Sequence, residues 1–206
     1  MDSALKMESA YQPKLAVGVK HVPANIPLVQ RLLDDKITEG IKVGTEAYSH
    51  PLTHPEYWEK GAPEFFDAIN DFVKSKGGFY VPLQRLEDFK RIKAIETDPA
   101  LKGQREDLRQ KLRKACQEGG FRLEEDDPMW ADHMMEYYGL CNRILQPAFL
   151  QQGVNLAELR DDTLVELTRE SQPDLIVVGW QHLPPLMVHY PQMPIAIVGR
   201  PDEYYD

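Results

Sequence analysis

Cysteine is nearly missing from this chain of 206 residues, which has Cys116 and Cys141 and no other. Two cysteines without metal-type spacing, both at apolar positions of helical patterns, exclude a disulfide-stapled scaffold. The expectation is a pair of reduced, packed thiols. Long apolar runs are lacking as well. None approaches the roughly 18 residues that a membrane span needs, and no basic-then-apolar segment opens the sequence. The expectation is therefore a cytoplasmic protein with no membrane partner. An excess of positive charge is also missing. The 24 Lys and Arg face 33 Asp and Glu, for a net charge of −9. Such a chain gains no general attraction to phosphate backbones, so nucleic acid is not an expected partner. The stretch from Arg85 to Lys114 carries ten Lys and Arg, but acidic residues interleave with them. That pattern describes a solvated helix face rather than a binding patch. Several familiar sites are absent too. There is no Gly-x-x-x-x-Gly-Lys-Ser/Thr loop, no Gly-x-Gly-x-x-Gly, no Gly-x-Ser-x-Gly elbow and no His-Glu-x-x-His helix.

What is present reads as an ordinary globular chain, with 42% hydrophobic and 28% charged residues. The length fits one α/β domain spanning residues 1–206. Leu15 to Val19 is an apolar strand. Asn25 is a plausible helix cap, with Pro27 tolerated in the first turn and Ile26, Val29, Leu32 and Leu33 at helical spacing. That helix is expected to end between Lys36 and Gly40. Ile41 to Glu46 is a second short strand. Tyr48 to Pro55 is a Pro-rich loop. Trp58, Phe65, Phe66, Ile69, Phe72 and Val73 trace a helical face that stops at Gly77-Gly78. Phe79 to Leu83 is a third strand.

Residues 84–170 read as mostly helical. A charged helix is expected over 99–117, and one starting at Pro128, capped by Asp127, is limited by Pro147 and Gly153. A last helix runs from Asp162 to Glu170. The stretch Pro173 to Pro185 follows, a buried strand that ends in a glycine turn and delivers His182, and Ile195 to Val198 is the final strand. Short apolar strands between amphipathic helices predict a mostly parallel central sheet covered on both faces, with right-handed crossovers and a helical insertion in the middle of the chain.

Ligands in such sheets bind beyond the carboxyl ends of the strands. His21, Glu46 and His182 all fall there. Two of them share a pattern, Gly18-Val19-Lys20-His21 and Gly179-Trp180-Gln181-His182, about 160 residues apart. In each the glycine is expected to allow a sharp turn, so that the histidine points over the sheet edge. Two imidazoles and a carboxylate facing one another could hold a divalent metal with room for water, or act as acid–base groups near neutral pH. Asp132, His133 and Glu136 lie on one helical stretch and read by default as its polar flank. His50 and His54, four apart in the Pro-rich loop, read as solvated. His189 has no assigned part.

The paired Gly-x-x-His turns, the acid closing Val43-Gly44-Thr45-Glu46 and the stretch Asp174 to Pro184 resemble the TraB/TIKI family. That family belongs to a wider superfamily with the ChaN-like and erythromycin-esterase-like proteins. The likeness covers about residues 14–46 and 173–198. It implies an α/β fold with its site at the strand ends and metal-dependent hydrolysis of a peptide or ester bond. His21, Glu46 and His182 would hold Zn, Mn or Co beside Gly18 and Gly179, and Asp132 or His133 would transfer protons or support the ligands. The sequence departs from the family at a mid-chain Arg-Asp patch. Asp132 matches the acid, but Ala131 stands where the arginine would be. That loss favours an alternative, a non-catalytic binder of a small ligand or haem, as in ChaN-like proteins. A third reading is an interaction protein whose histidines are packing residues. The expected partner is a small-molecule or peptide substrate, with a homo-oligomer left open.

Overall fold

The strands Leu15–Val19 and Leu175–Val178 are apolar on both sides, which commits each side to a covering layer. A computed structural model describes residues 11–46, 62–96 and 129–198, with isolated positions between 98 and 118. The strands are β1 (Leu15–Val19), β2 (Lys42–Thr45), β3 (Phe79–Pro82), β4 (Leu175–Val178) and β5 (Ile195–Val198). They form one sheet in the order β3-β2-β4-β1-β5, and every neighbouring pair is parallel. All five residues of β1 and all four of β4 are buried. That double burial is what a parallel sheet between two helical layers requires. The expected α/β architecture is thus observed.

The alternation along the strands divides the core in two. Leu15, Val17 and Val19 of β1 and Leu175 and Val177 of β4 face one layer. It is made by α1 (Ile26–Leu33), through Val29 and Leu33, and by α2 (Ala62–Ser75), through Phe65, Phe66, Ile69 and Val73. Ala16, Ile176 and Val178 face the other. There α4 (Trp130–Gln151) supplies Met134 and Tyr137, α5 (Thr163–Ser171) supplies Leu164, and α6 (Leu183–His189) supplies Leu183 and Leu186. Burying one such large apolar side chain stabilises the fold by roughly 1.5–3 kcal/mol. A smaller cluster joins α3 (Leu86–Glu96), through Ile92, to Phe149, Val154 and Leu156 at the far end of α4.

The layers and the strand order fit together. From β1 to β2 to β3 the chain moves one way across the sheet, with α1 and α2 on one face. From β3 to β4 to β5 it moves back, with α4, α5 and α6 on the other. Reversing both direction and face leaves all four crossovers with one hand, as the handedness rule demands. The adjacent strands β1 and β4 therefore send their chains to opposite faces.

Several local expectations are corrected. Asn25 does not cap α1 with its side chain. It lies in a 3-10 turn, Pro23–Asn25, and its amide donates to the Lys20 carbonyl at 2.9 Å. The regular part of α1 ends at Leu33, earlier than expected. Pro147 does not limit α4. The helix runs through it to Gln151 and ends at Gly153, where φ is +70°. Pro184 and Pro185 open a further helix, α6, where proline's missing N–H would have had no intrahelical partner. The stop at Gly77 is as expected, with φ of +77°. The helix expected over 99–117 falls largely outside the described residues. So do Asp127, the 48–55 loop with His50 and His54, Trp58, Cys116 and the Cys141 side chain. Among the described residues no helix is long and apolar enough to cross a membrane.

Candidate functional site

The sheet order sets the site. β2, β4 and β1 lie side by side, so their carboxyl ends open at one place. Each delivers a polar side chain within four residues of its end: Glu46 directly after β2, His21 two residues after β1 and His182 four after β4. Because β1 and β4 leave toward opposite faces, their ends form a topological switch point, the place at which open α/β sheets bind ligands.

Local structure aims each side chain. The Asn25 bond to the Lys20 carbonyl ties down the turn immediately before His21. The His21 ring lies against Phe66 and Phe65, with ring centroids 4.4 and 5.2 Å away. A 3-10 turn, Trp180–His182, is closed by the His182 N–H donating to the Gly179 carbonyl at 2.8 Å. That turn brings His182 back over the end of β4.

The two histidines meet on one carboxylate. His21 Nδ1 lies 3.1 Å from Glu46 Oε1, and His182 Nε2 lies 3.1 Å from Glu46 Oε2. The Gly179 N–H donates to the same Oε2 at 2.7 Å. Side-chain exposures of 12% for His21, 14% for Glu46 and 9% for His182 put the array almost out of solvent. Burial pushes the Glu46 carboxyl up. The positive charge available on His21 and His182, the Gly179 N–H and the Arg160 guanidinium outweigh it and hold the carboxyl below its ordinary range. Sharing one carboxylate keeps the two imidazoles within about 10 Å, the scale on which two such rings could share a metal.

The glycines serve by being small rather than by turning. Gly179 has φ of −56° and is not left-handed. A β-carbon there would sit 3.3 Å from Glu46 Oε2 and 3.4 Å from His21 Cε1. At Gly18 it would come within 2.5 Å of Leu183 Cδ1 and 3.1 Å of the Trp180 backbone. Each glycine lets one strand end lie directly against the next.

Beyond His182 the array continues through Asp161, Arg160 and Tyr138. His182 Nδ1 faces Asp161 Oδ1 at 3.8 Å, an ion contact rather than a hydrogen bond. Asp161 is 3% exposed. Arg160 grips it with two hydrogen bonds, Nε to Oδ1 at 2.8 Å and Nη2 to Oδ2 at 3.1 Å. The Tyr138 hydroxyl donates to Oδ2 at 2.6 Å, and the Arg160 guanidinium stands 5.9 Å from the Tyr138 ring centre. Burial pushes Asp161 up, and the contacts with His182 and Arg160 more than reverse that, holding the carboxyl well below its usual range. Tyr138 is pushed up to about 12, first by burial and then by the acid it donates to.

A periodic signal for Asp161 existed. It stands at i, i+3, i+4 and i+7 with Leu164, Val165 and Thr168, all buried. Extending the helical pattern backwards would have placed a charge in the core. What obscured it is that Glu158–Asp162 is a π-helical turn, a feature that often marks functional sites.

The carboxylate beside His182 is Asp161, whereas Asp132 is exposed on the first turn of α4 and His133 is half-buried. Asp132 stands roughly 120° around the helix from Tyr138, at 100° per residue. That helix reaches the site through Tyr137, whose ring centre is 5.2 Å from that of Trp180, and through Tyr138. Arg160 brings a cation to the array from a segment other than α4.

The donor set suits a transition metal in its chemistry, being two imidazole nitrogens and a carboxylate. The 3.1 Å spacings are close to the edge of about 3.3 Å that a tetrahedral site with bonds near 2.0 Å would have. As they stand, however, both nitrogens are turned onto the carboxylate. Among the described residues no group of three or more His, Cys, Asp or Glu is arranged to hold an ion. No family model matches the chain, no curated protein is significantly similar to it, and no solved structure matches its fold significantly.

Proposed function

We propose that His21, Glu46 and His182 form the acid–base centre of a hydrolase that cleaves a peptide or ester bond at the strand ends. The observation that carries this reading is the shared carboxylate, with an ionised Glu46 held between two imidazoles at 3.1 Å on each side. Hydrolysis needs a proton taken from the attacking water and one given to the leaving group. Imidazole does either near neutral pH. The water oxygen bonds to the carbonyl carbon while its proton passes to His21. The scissile C–N or C–O bond then breaks as His21 returns that proton to the departing atom. Glu46 stabilises the charge on the His21 ring, and His182 holds Glu46 in place. The resemblance to the TraB/TIKI family supports the same reaction class, and Arg160 supplies the site with a cation.

A second reading is metal-assisted hydrolysis. Two 3.1 Å spacings near a tetrahedral edge favour it. His21 Nδ1, His182 Nε2 and Glu46 would hold Zn, Mn or Co, and the ion would supply a bound water of lowered pKa. The setting we infer is cytoplasmic, the substrate a small molecule or peptide, and self-association is to be measured by light scattering.

The test is hydrolysis of nitrophenyl esters and fluorogenic peptides by wild type, His21→Ala, His182→Ala and the double variant, with metal analysis of each. Hydrolysis by wild type that the double variant loses supports the proposal. Equal rates in both, or none in either, sink it. Metal content no higher in wild type than in the double variant removes the second reading. A Soret band on haem addition, lost with either alanine, would instead make the chain a non-catalytic haem binder. Variants that lose stability and nothing else would leave the histidines as packing residues.

A further inference from the structure

Asp161 is harder to explain by stability than any other residue near the site. It occupies a core position whose helical neighbours Leu164, Val165 and Thr168 are buried. A buried ion pair such as Arg160–Asp161 costs much of its own attraction in lost hydration. Replacing such a pair with apolar residues of similar volume is often neutral or stabilising. The π-helical turn that carries both residues also spends regular hydrogen bonding to face Asp161 inward. Stability by itself would favour leucine on a regular helix.

What this arrangement does accomplish is to fix one carboxylate. Arg160 holds both oxygens, Tyr138 adds a third bond from α4, and the carboxylate has no rotational freedom left. The atom it presents to the site is Oδ1, and the group in front of Oδ1 is His182 Nδ1. That nitrogen is buried and makes no hydrogen bond. At 3.8 Å the carboxylate acts on the ring by charge rather than by a formed bond. The other ring nitrogen, Nε2, meets Glu46. His182 is thus lodged between two carboxylates. Flipping the imidazole about its Cβ–Cγ bond would move both nitrogens away from both acids.

We propose that Asp161, pinned by Arg160 and Tyr138, is the positioning residue for His182, holding the ring with Nδ1 toward itself and Nε2 on Glu46. The consequence for reaction rests on the hydrolase reading; the orientation does not.

The test separates the two. Histidine ring nitrogen and carbon-bound proton signals are recorded by NMR at one fixed pH for wild type, Asp161→Asn, Asp161→Glu and Tyr138→Phe, with His182→Ala giving the assignment. Wild type is expected to show one ring state for His182. Asp161→Asn is expected to shift or split those signals, Asp161→Glu to restore them in part, and Tyr138→Phe to move them the same way by less. His182 signals unchanged in Asp161→Asn would overturn the proposal. Where that variant does not fold, unchanged signals in Tyr138→Phe would do the same. Hydrolysis, if wild type shows it, should fall by roughly 10–100-fold in Asp161→Asn, the range seen when a ligand's orienting partner is lost. A reoriented ring in a chain that hydrolyses nothing would uphold the positioning role and sink the hydrolase reading. A fixed ring with a reduced rate would sink the positioning role and leave that reading standing.

Discussion

Replacing Glu46 with glutamine removes one charge from the centre of the array and changes almost nothing in shape. Glu46 faces three groups, His21 Nδ1 at 3.1 Å, His182 Nε2 at 3.1 Å and the Gly179 N–H at 2.7 Å. A carboxylate accepts on both oxygens, whereas an amide accepts on one and donates from the other end. If the amide oxygen stays on the Gly179 and His182 side, its NH2 turns toward His21. The flipped amide deprives His182 and Gly179 instead. One bond to a charged acceptor is lost either way, at about 1.5–3 kcal/mol, and the remaining contacts weaken. The expected cost is about 2–4 kcal/mol. For a chain of this size that lowers the melting temperature by about 5–15 °C.

The pH dependence is the sharper part. The folded-state pKa of Glu46 is held below the 4.5 of an unperturbed glutamate, so its contribution is fully present above that value. It is lost as the pH falls through the folded value, where folded and unfolded states both bind the proton. Asp161 is common to both proteins and cancels in the difference. Melting followed by circular dichroism from pH 7 to pH 3 should therefore show a gap between the two proteins at pH 7 that closes as the solution is made more acid than the ordinary glutamate value of 4.5. A melting temperature for Glu46→Gln within about 1 °C of wild type at pH 7, or a gap that stays open at pH 3, refutes the reasoning.

Gly18→Ala should lower stability by about 1–3 kcal/mol, because the new methyl meets Leu183 Cδ1 at 2.5 Å and the Trp180 backbone at 3.1 Å. Chemical denaturation measures it, and an unchanged midpoint would show that the Trp180–Leu183 segment yields freely. Gln172→Gly should raise stability by about 0.5–1 kcal/mol. Gln172 ends α5 at φ of 49°, a conformation that costs roughly 1–2 kcal/mol outside glycine, partly offset by glycine's greater freedom when unfolded. Its check is the melting temperature, which should rise. Alkaline titration followed by tyrosine absorbance should show Tyr138 ionising near pH 12, as burial and Asp161 dictate. Because its folded value lies above the ordinary 10.0, the stability it contributes is full below pH 10 and is lost as the pH climbs toward 12. A Tyr138→Phe chain whose absorbance change near pH 12 matches that of wild type would count against this assignment.

Local pattern carried the fold class. The runs Leu15–Val19 and Ile195–Val198 were readable as strands to the residue because parallel strands covered on both faces need unbroken apolar sequence. The stop of α2 was legible in Gly77, since the left-handed turn there suits glycine. His21, Glu46 and His182 were legible as strand-end residues for the same reason. Other features answered to forces that the pattern does not encode. Pro147 sits inside a 22-residue helix, where a lost backbone bond is outweighed by the rest of the helix and its packing. Gly179 looked like a turn residue and is an accommodation for a carboxylate 133 positions earlier.

Apolar runs a few residues long specified the strands and the three side chains placed at their ends, and this much needs no knowledge of the rest of the chain. They did not determine that β4 lies between β2 and β1. That order depends on which long connections close over which face, and it turns three separate strand ends into one array around Glu46. Nor did they determine that Asp161, Arg160 and Tyr138 join them. A π-helical turn and α4, which packs on the same face as α5, bring those residues in, and their contacts exist only once the sheet and its layers have packed.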